Sequence, residues 1–202
     1  MIKKILLINC AYHTDSITDQ MMSEVSTHIQ KSGSDYEMLN IREQEFTSCV
    51  KCRVCTQCSE DVPGECINKD RMNDIVTKIE KSDGYIIASP AKFQATATFF
   101  KCFMERLIVY SYWPYGSKKS QPIKKDITKK AVLISAFPIP DMIARIYSKT
   151  MDQLKVCARL IGAQTIDTLY IGMAPISTKR RLTQKEKDQA KELSEKLISS
   201  LV

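Results

Sequence analysis

Five of the eight cysteines of this 202-residue chain fall between residues 49 and 66: Cys49, Cys52, Cys55, Cys58 and Cys66. The first four recur at every third residue. Two-residue gaps let neighbouring sulfurs turn towards one point, and three closely spaced cysteines with a more distant fourth is how chains hold iron–sulfur clusters. Short Cys-x2-Cys hooks also serve tetrahedral zinc. Two ligand sets are open: Cys52, Cys55, Cys58 and Cys66, or Cys49, Cys52, Cys55 and Cys66. The seven-residue gap from Cys58 is the shorter closure, and the Pro63-Gly64 turn within it can bring Cys66 back toward Cys58. Loop entropy grows only logarithmically with length, so it does not choose between them.

A second candidate lies near the amino terminus. Residues 2–9 form an apolar run, residues 10–16 are polar and turn-like, and a helical pattern starts at Ser16 with Ile17, Met21, Val25 and Ile29 four apart. Strand, short loop and helix N-terminus bring free N–H groups and the positive end of the helix dipole to one spot, which suits phosphate. Ser16 is placed to cap this helix, with Thr18 beside it.

These groups need a scaffold, and apolar periodicity supplies one. Strands are expected at 2–9, 35–41, 84–89, 131–135 and 165–171, the third stopped by Pro90. Helices are expected at 16–31, 71–81, 97–110, 141–161 and 183–201. In the fourth of these, Ile143, Ile146, Tyr147, Met151, Leu154, Ala158 and Ile161 recur at helical spacing. Alternating strands and helices imply a doubly wound α/β fold: a five-stranded parallel sheet, order 2-1-3-4-5, with helices on both faces. Its ligand crevice lies at the carboxyl ends of strands 1 and 3, where the order reverses. The stretches 10–18 and 89–95 and the cysteine loop all fall on that edge.

Composition sets the remaining bounds. The chain is expected to be one domain over 1–202 with a cysteine-rich loop at 49–66. Its net charge of +7 gathers at residues 116–130 and 179–196. No nucleic-acid-binding motif accompanies that charge, so no nucleic-acid partner is expected. No stretch of 18 apolar residues and no signal-peptide cleavage pattern is present, so neither a membrane span nor export is expected. A cytoplasmic location follows, where clustered cysteines bind metal or react rather than pair. Cys10, Cys102 and Cys157 read as small buried hydrophobes.

The order of elements, the cysteine loop running into Cys66-Ile-Asn-Lys-Asp70, the Ser89-Pro90 turn and the run Lys101…Glu105-Arg106-Leu107 resemble the flavodoxin-like NADPH-dependent FMN reductases, and more narrowly the iron–sulfur flavoproteins. The resemblance covers most of the chain. It implies an FMN-dependent oxidoreductase fed by NAD(P)H or a ferredoxin-like donor, assembled as a homodimer or larger homo-oligomer. It implies FMN contacts at Ala11, His13, Ser16, Ile17 and Thr18 and at Pro90, Ala91, Lys92 and Phe93. It also implies a [4Fe–4S] cluster on Cys52, Cys55, Cys58 and Cys66, with Cys49 free and zinc as the alternative. The chain departs from the family in its first loop, where His13 stands in place of an arginine. A reading of a different class is a zinc-stabilised binding or regulatory module on the same scaffold.

Overall fold

The computed structural model describes residues 2–201 except 60, 94 and 175–179. Five parallel strands make the main sheet: β1 (Lys4–Asn9), β2 (Asp35–Asn40), β3 (Gly84–Lys92), β4 (Lys129–Ala136) and β5 (Ala163–Ile171). Their order is β2-β1-β3-β4-β5, as the alternation of elements predicts. Six helices cover it: α1 (Ile17–Lys31), α2 (Met72–Glu80), α3 (Thr98–Arg106), α4 (Asp141–Tyr147), α5 (Thr150–Leu160) and α6 (Gln184–Ser200). Side chains alternate across a strand, so β1 serves two cores. Ile5 and Leu7 pack with α1 and α6, while Leu6 and Ile8 pack with α2, α3 and α5. This two-sided burial is why strands 1, 3 and 4 read as continuous apolar runs.

Three expectations are corrected. The helix expected at 141–161 is two helices, because Ser148 takes extended dihedrals and its hydroxyl accepts the Thr150 N–H at 3.2 Å. Such local side-chain bonds compete with the helix ladder. The break turns Ile143 and Ile146 outward (45% and 74% exposed) and leaves Ala144 as the buried contact of α4. Pro90 does not stop β3, which runs on to Lys92. β1 ends opposite Ala88, so from Ser89 onward β3 pairs only with β4 among the parallel strands, and a proline with no N–H is tolerated there. The helix expected at 97–110 tightens to a 3-10 turn at Leu107–Tyr110. No helix among the described residues is long and apolar enough to cross a membrane.

Candidate functional site

A cavity of about 260 Å³ opens at the carboxyl ends of β1, β3 and β4. Tyr12, His13, Asp15, Ser16, Ile17 and Thr18 form one wall, Pro90 and Ala91 a second, and Ala136, Phe137 and Pro138 a third. Ala174 and Arg180 complete it from beyond β5. The volume is below the roughly 300 Å³ at which pockets begin to enclose whole drug-sized ligands. It suits the end of a longer molecule whose remainder lies along the rim.

Asp19, in the first turn of α1, shapes the loop. Its carboxylate accepts from Asn9 Nδ2 at 2.8 Å, the Asp15 N–H at 3.0 Å and Arg42 Nη1 at 3.2 Å. Partial burial works against ionisation, but these hydrogen bonds and the Arg42 charge outweigh it and hold the Asp19 pKa below the ordinary value. Asp15 turns through the left-handed region (φ 64°), and Ser16 caps α1 by accepting the Asp19 N–H at 3.3 Å. The helix N-terminus is thereby fixed against the cavity.

Of the residues expected to contact FMN, His13, Ser16, Ile17, Thr18, Pro90 and Ala91 are brought together on the walls. Ala11 is fully buried behind them, its N–H bonded to Asn9 Oδ1 at 3.0 Å. Lys92 and Phe93 stand outside the cavity. Phe93 is 93% exposed with φ 51°, and Lys92 Nζ lies 5.3 Å from the centre of the Tyr12 ring. Sequence reasoning missed Phe137, Pro138 and Arg180. The first two follow β4 directly, and extending the strand-end argument by one strand reaches them. Arg180 carries no local signal, although its place after β5 sets it at the same rim.

The cysteine loop forms a second site. Cys49, Cys52, Cys55 and Cys66 line one small enclosed cavity, with Arg106 in its wall. Cys58 is exposed and lies outside that cavity. Burial pushes the Cys55 thiol up to about 11, and the nearby thiols of Cys66, Cys49 and Cys52 add to the shift. Lys51 and Arg53 both take positive φ (58° and 63°), and the Lys51 N–H reaches Cys49 Sγ at 3.4 Å. Left-handed residues set among ordinary ones form backbone concavities that hold anions and iron–sulfur centres. The loop is also docked from behind. The Trp113 N–H donates to the Thr56 carbonyl at 2.8 Å, Arg53 lies 3.9 Å over the Trp113 ring, and Tyr115 Oη donates to the Cys52 carbonyl at 3.0 Å. Gly64 is required at the return: a Cβ there would sit 1.7 Å from the Cys55 carbonyl oxygen.

Arg106 is 1% exposed. Its Nη1 donates to Asp70 Oδ2 at 2.8 Å and to the Thr47 carbonyl at 2.6 Å. Its Nη2 donates to Asp70 Oδ1 at 3.0 Å and Cys66 Sγ at 3.5 Å, and its Nε has no partner among the described residues. Burial opposes ionisation of Asp70, yet the Arg106 and backbone hydrogen bonds prevail and hold its carboxyl far below the usual range. Among the described residues, no three His, Cys, Asp or Glu side chains converge closely enough for a single metal ion. A lone zinc needs its sulfurs about 2.3 Å from one point. The four thiols line one cavity of about 10 Å³ with a buried cation in its wall, a donor set whose chemistry suits a thiolate-bound metal or iron–sulfur centre.

The sequence profile of the NADPH-dependent FMN reductases matches residues 3–138. The chain belongs to this family. The match takes in the FMN reductase elements β1 to β4, the cysteine loop and every cavity wall except Ala174 and Arg180. An iron-sulfur flavoprotein of Archaeoglobus fulgidus is 26% identical over 95 residues, 47% of this chain and 41% of that protein. One from Methanocaldococcus jannaschii is 24% identical over 103 residues, 51% of each chain. This family member thus spans about half the length of the curated relatives it matches or less. In fold it is similar to a NAD(P)H:quinone oxidoreductase from Methanothermobacter marburgensis, with a TM-score of 0.71 at 13% identity over 98% of this chain and 96% of that one.

Proposed function

We propose that this chain is an FMN-dependent oxidoreductase that takes electrons from NAD(P)H and carries a [4Fe–4S] cluster beside its flavin site. The observation that carries the flavin reading is the cavity at the sheet's switch point, closed on one side by the capped N-terminus of α1. There the N–H groups of Ile17 and Thr18 and the hydroxyls of Ser16 and Thr18 receive the phosphate. Pro90, Ala91 and Phe137 give a flat apolar bed along the rim and keep water from one face of the ring. FMN itself supplies the conversion between hydride and single-electron chemistry, and the protein binds, orients and tunes it. Ala11 supports the loop from behind. Lys92 and Phe93 receive no direct contact in this reading, and no side chain is assigned a proton-transfer role.

For the cluster, the cavity favours Cys49, Cys52, Cys55 and Cys66 over the set containing Cys58. Exposed Met142 and Ile146 on α4, close in sequence to Pro138 of the cavity wall, support a homodimer that covers the rim. A reducing cytosol suits the eight free thiols.

The test is direct. Anaerobically reconstituted protein should quench FMN fluorescence at micromolar concentration and oxidise NAD(P)H only with FMN present. It should also show broad visible absorption near and beyond the flavin bands that bleaches on reduction. Absence of quenching refutes the flavin reading, and iron-free protein after reconstitution refutes the cluster. In single Cys→Ser variants, Cys49→Ser should lose iron and sulfide while Cys58→Ser keeps them; the reverse pattern restores Cys58 as the ligand.

A further inference from the structure

The loop that faces the proposed phosphate position, residues 10–18, contains no lysine or arginine and does contain Asp15. A phosphomonoester carries about −1.5 to −2 charges at neutral pH. Helix N-termini favour anions, but this loop offers no lysine or arginine of its own to pair with that charge. The carboxylate of Asp15 is occupied by Arg181, an ion pair on the outer side of the strap that leads into α6. The residue before it, Arg180, lines the cavity.

Arg180 is held there firmly. Gln20, in the second turn of α1, donates to the Arg180 carbonyl at 3.0 Å and accepts the Leu182 N–H at 3.2 Å. The same amide donates to the Asp15 carbonyl at 2.7 Å, so one side chain clamps the strap to the phosphate loop. Arg180 Nη2 donates to Glu186 Oε1 at 2.7 Å. The other oxygen of Glu186 is taken by the N–H and hydroxyl of Thr183, at 2.8 and 3.0 Å, in the capping box of α6. Arg180 Nη1 is buried and has no hydrogen-bond partner among the described residues. An unsatisfied charged donor out of water is costly, and buried polar groups without partners call for an explanation.

We propose that Arg180 supplies the cation for the FMN phosphate, delivered from the strap before α6 because the loop itself lacks one. The inference rests on the flavin reading above, and Arg180 lies outside the matched residues 3–138. A phosphate at the α1 N-terminus would give the guanidinium the acceptor that Nη1 lacks among the described residues, with Nη2 still on Glu186. The site is then assembled from both ends of the chain, and the missing loop arginine is compensated rather than lost.

Riboflavin, which has the ring and ribityl chain but no phosphate, separates this role from all others. Fluorescence quenching should be titrated with FMN and with riboflavin for the parent, Arg180→Gln and Arg180→Lys. Arg180→Gln is expected to weaken FMN about tenfold or more, the scale of a hydrogen bond to a charged group, and to leave riboflavin within about twofold. Arg180→Lys should keep FMN within a few-fold of the parent, since it retains the charge. Unchanged riboflavin binding also certifies that the variant's pocket is folded. Equal weakening of both flavins, or no change for FMN, overturns the assignment. A parent that binds neither flavin overturns the underlying flavin reading instead.

Discussion

Replacing Asp70 with Asn removes one charge from a node that ties together the entry to the cysteine loop, its exit, the start of α2 and the end of α3. Asp70 Oδ1 accepts from Arg106 Nη2 at 3.0 Å and the Met72 N–H at 3.1 Å. Oδ2 accepts from Arg106 Nη1 at 2.8 Å, the Thr47 N–H at 2.9 Å and the Thr47 hydroxyl at 3.0 Å. All five groups are donors. Asn presents one oxygen and one NH2, so in either orientation its amide nitrogen faces donors. Arg106, 1% exposed, keeps its charge with no counter-ion. Removing one partner of a buried pair costs about 3–5 kcal/mol. The Asp70 side chain is 17% exposed, which lets water soften the loss and favours the lower figure, about 3 kcal/mol. At about 2–4 °C per kcal/mol for a chain of this size, the melting point should fall by about 6–12 °C.

Urea unfolding of the reduced, metal-free protein measures this, with the slope m unchanged between parent and variant. The difference should also depend on pH in one direction. Because the folded pKa of Asp70 is depressed, its contribution is complete above the unfolded pKa of about 3.9 and is lost as pH falls below that towards the folded value. The gap between parent and Asp70→Asn should therefore be constant near neutrality and narrow on acidification below about pH 4. A loss under about 1 kcal/mol at pH 7, within the range of an exposed pair, would refute the view that the pair is a buried strut. A gap that widens on acidification would refute the assignment of the depressed pKa.

Two further outcomes test the sites themselves. Gly64→Ala forces a Cβ into the Cys55 carbonyl, so the loop return must move; it should cost about 1–3 kcal/mol in urea unfolding and lose most of the iron taken up on reconstitution. Thr18→Val keeps the shape of a side chain that is 1% exposed at the cavity wall and removes only its hydroxyl. FMN binding should weaken by about 1 kcal/mol, roughly fivefold in Kd by fluorescence titration, and riboflavin should be unaffected.

The strands were legible because burial on both faces leaves an apolar run, and their alternation with helices carries the sheet order. The break at Ser148 was not legible: the flanking isoleucines keep helical spacing, and only the hydroxyl bond to Thr150 shows why the helix stops. The first loop's strand, turn and capping serine could be read because they are contiguous. Arg180 could not, since its meaning comes from Gln20, some 160 residues away in sequence. Cysteine spacing limited the ligands to five candidates and went no further. The choice depends on which sulfurs the left-handed turns at Lys51 and Arg53 direct inward, and those turns are made by ordinary residues without a glycine signature.

The two sites are joined by α3. Tyr12 lines the cavity at the sheet's carboxyl edge and meets Phe99 edge-on, ring centres 5.2 Å apart. One turn along, Cys102 accepts from the Ser48 hydroxyl at 3.7 Å, next to Cys49. One turn further, Arg106 reaches Cys66 Sγ. Residues 99, 102 and 106 follow the three- and four-residue steps that form a single stripe on a helix. That stripe touches the cavity wall at one end and the cysteine cavity at the other. Phe99 was expected in the core and is partly buried against it; Cys102 was expected among the small buried residues but is only half-buried, whereas Cys10 and Cys157 are buried. Packing along a rigid helix would also fix the separation between the proposed flavin and cluster, because a shift of α3 would have to break the aromatic contact, the thiol bond and the Arg106–Asp70 pair together. In the proposed oxidoreductase, the path from flavin to cluster is therefore set by the same contacts that hold the loop to the fold.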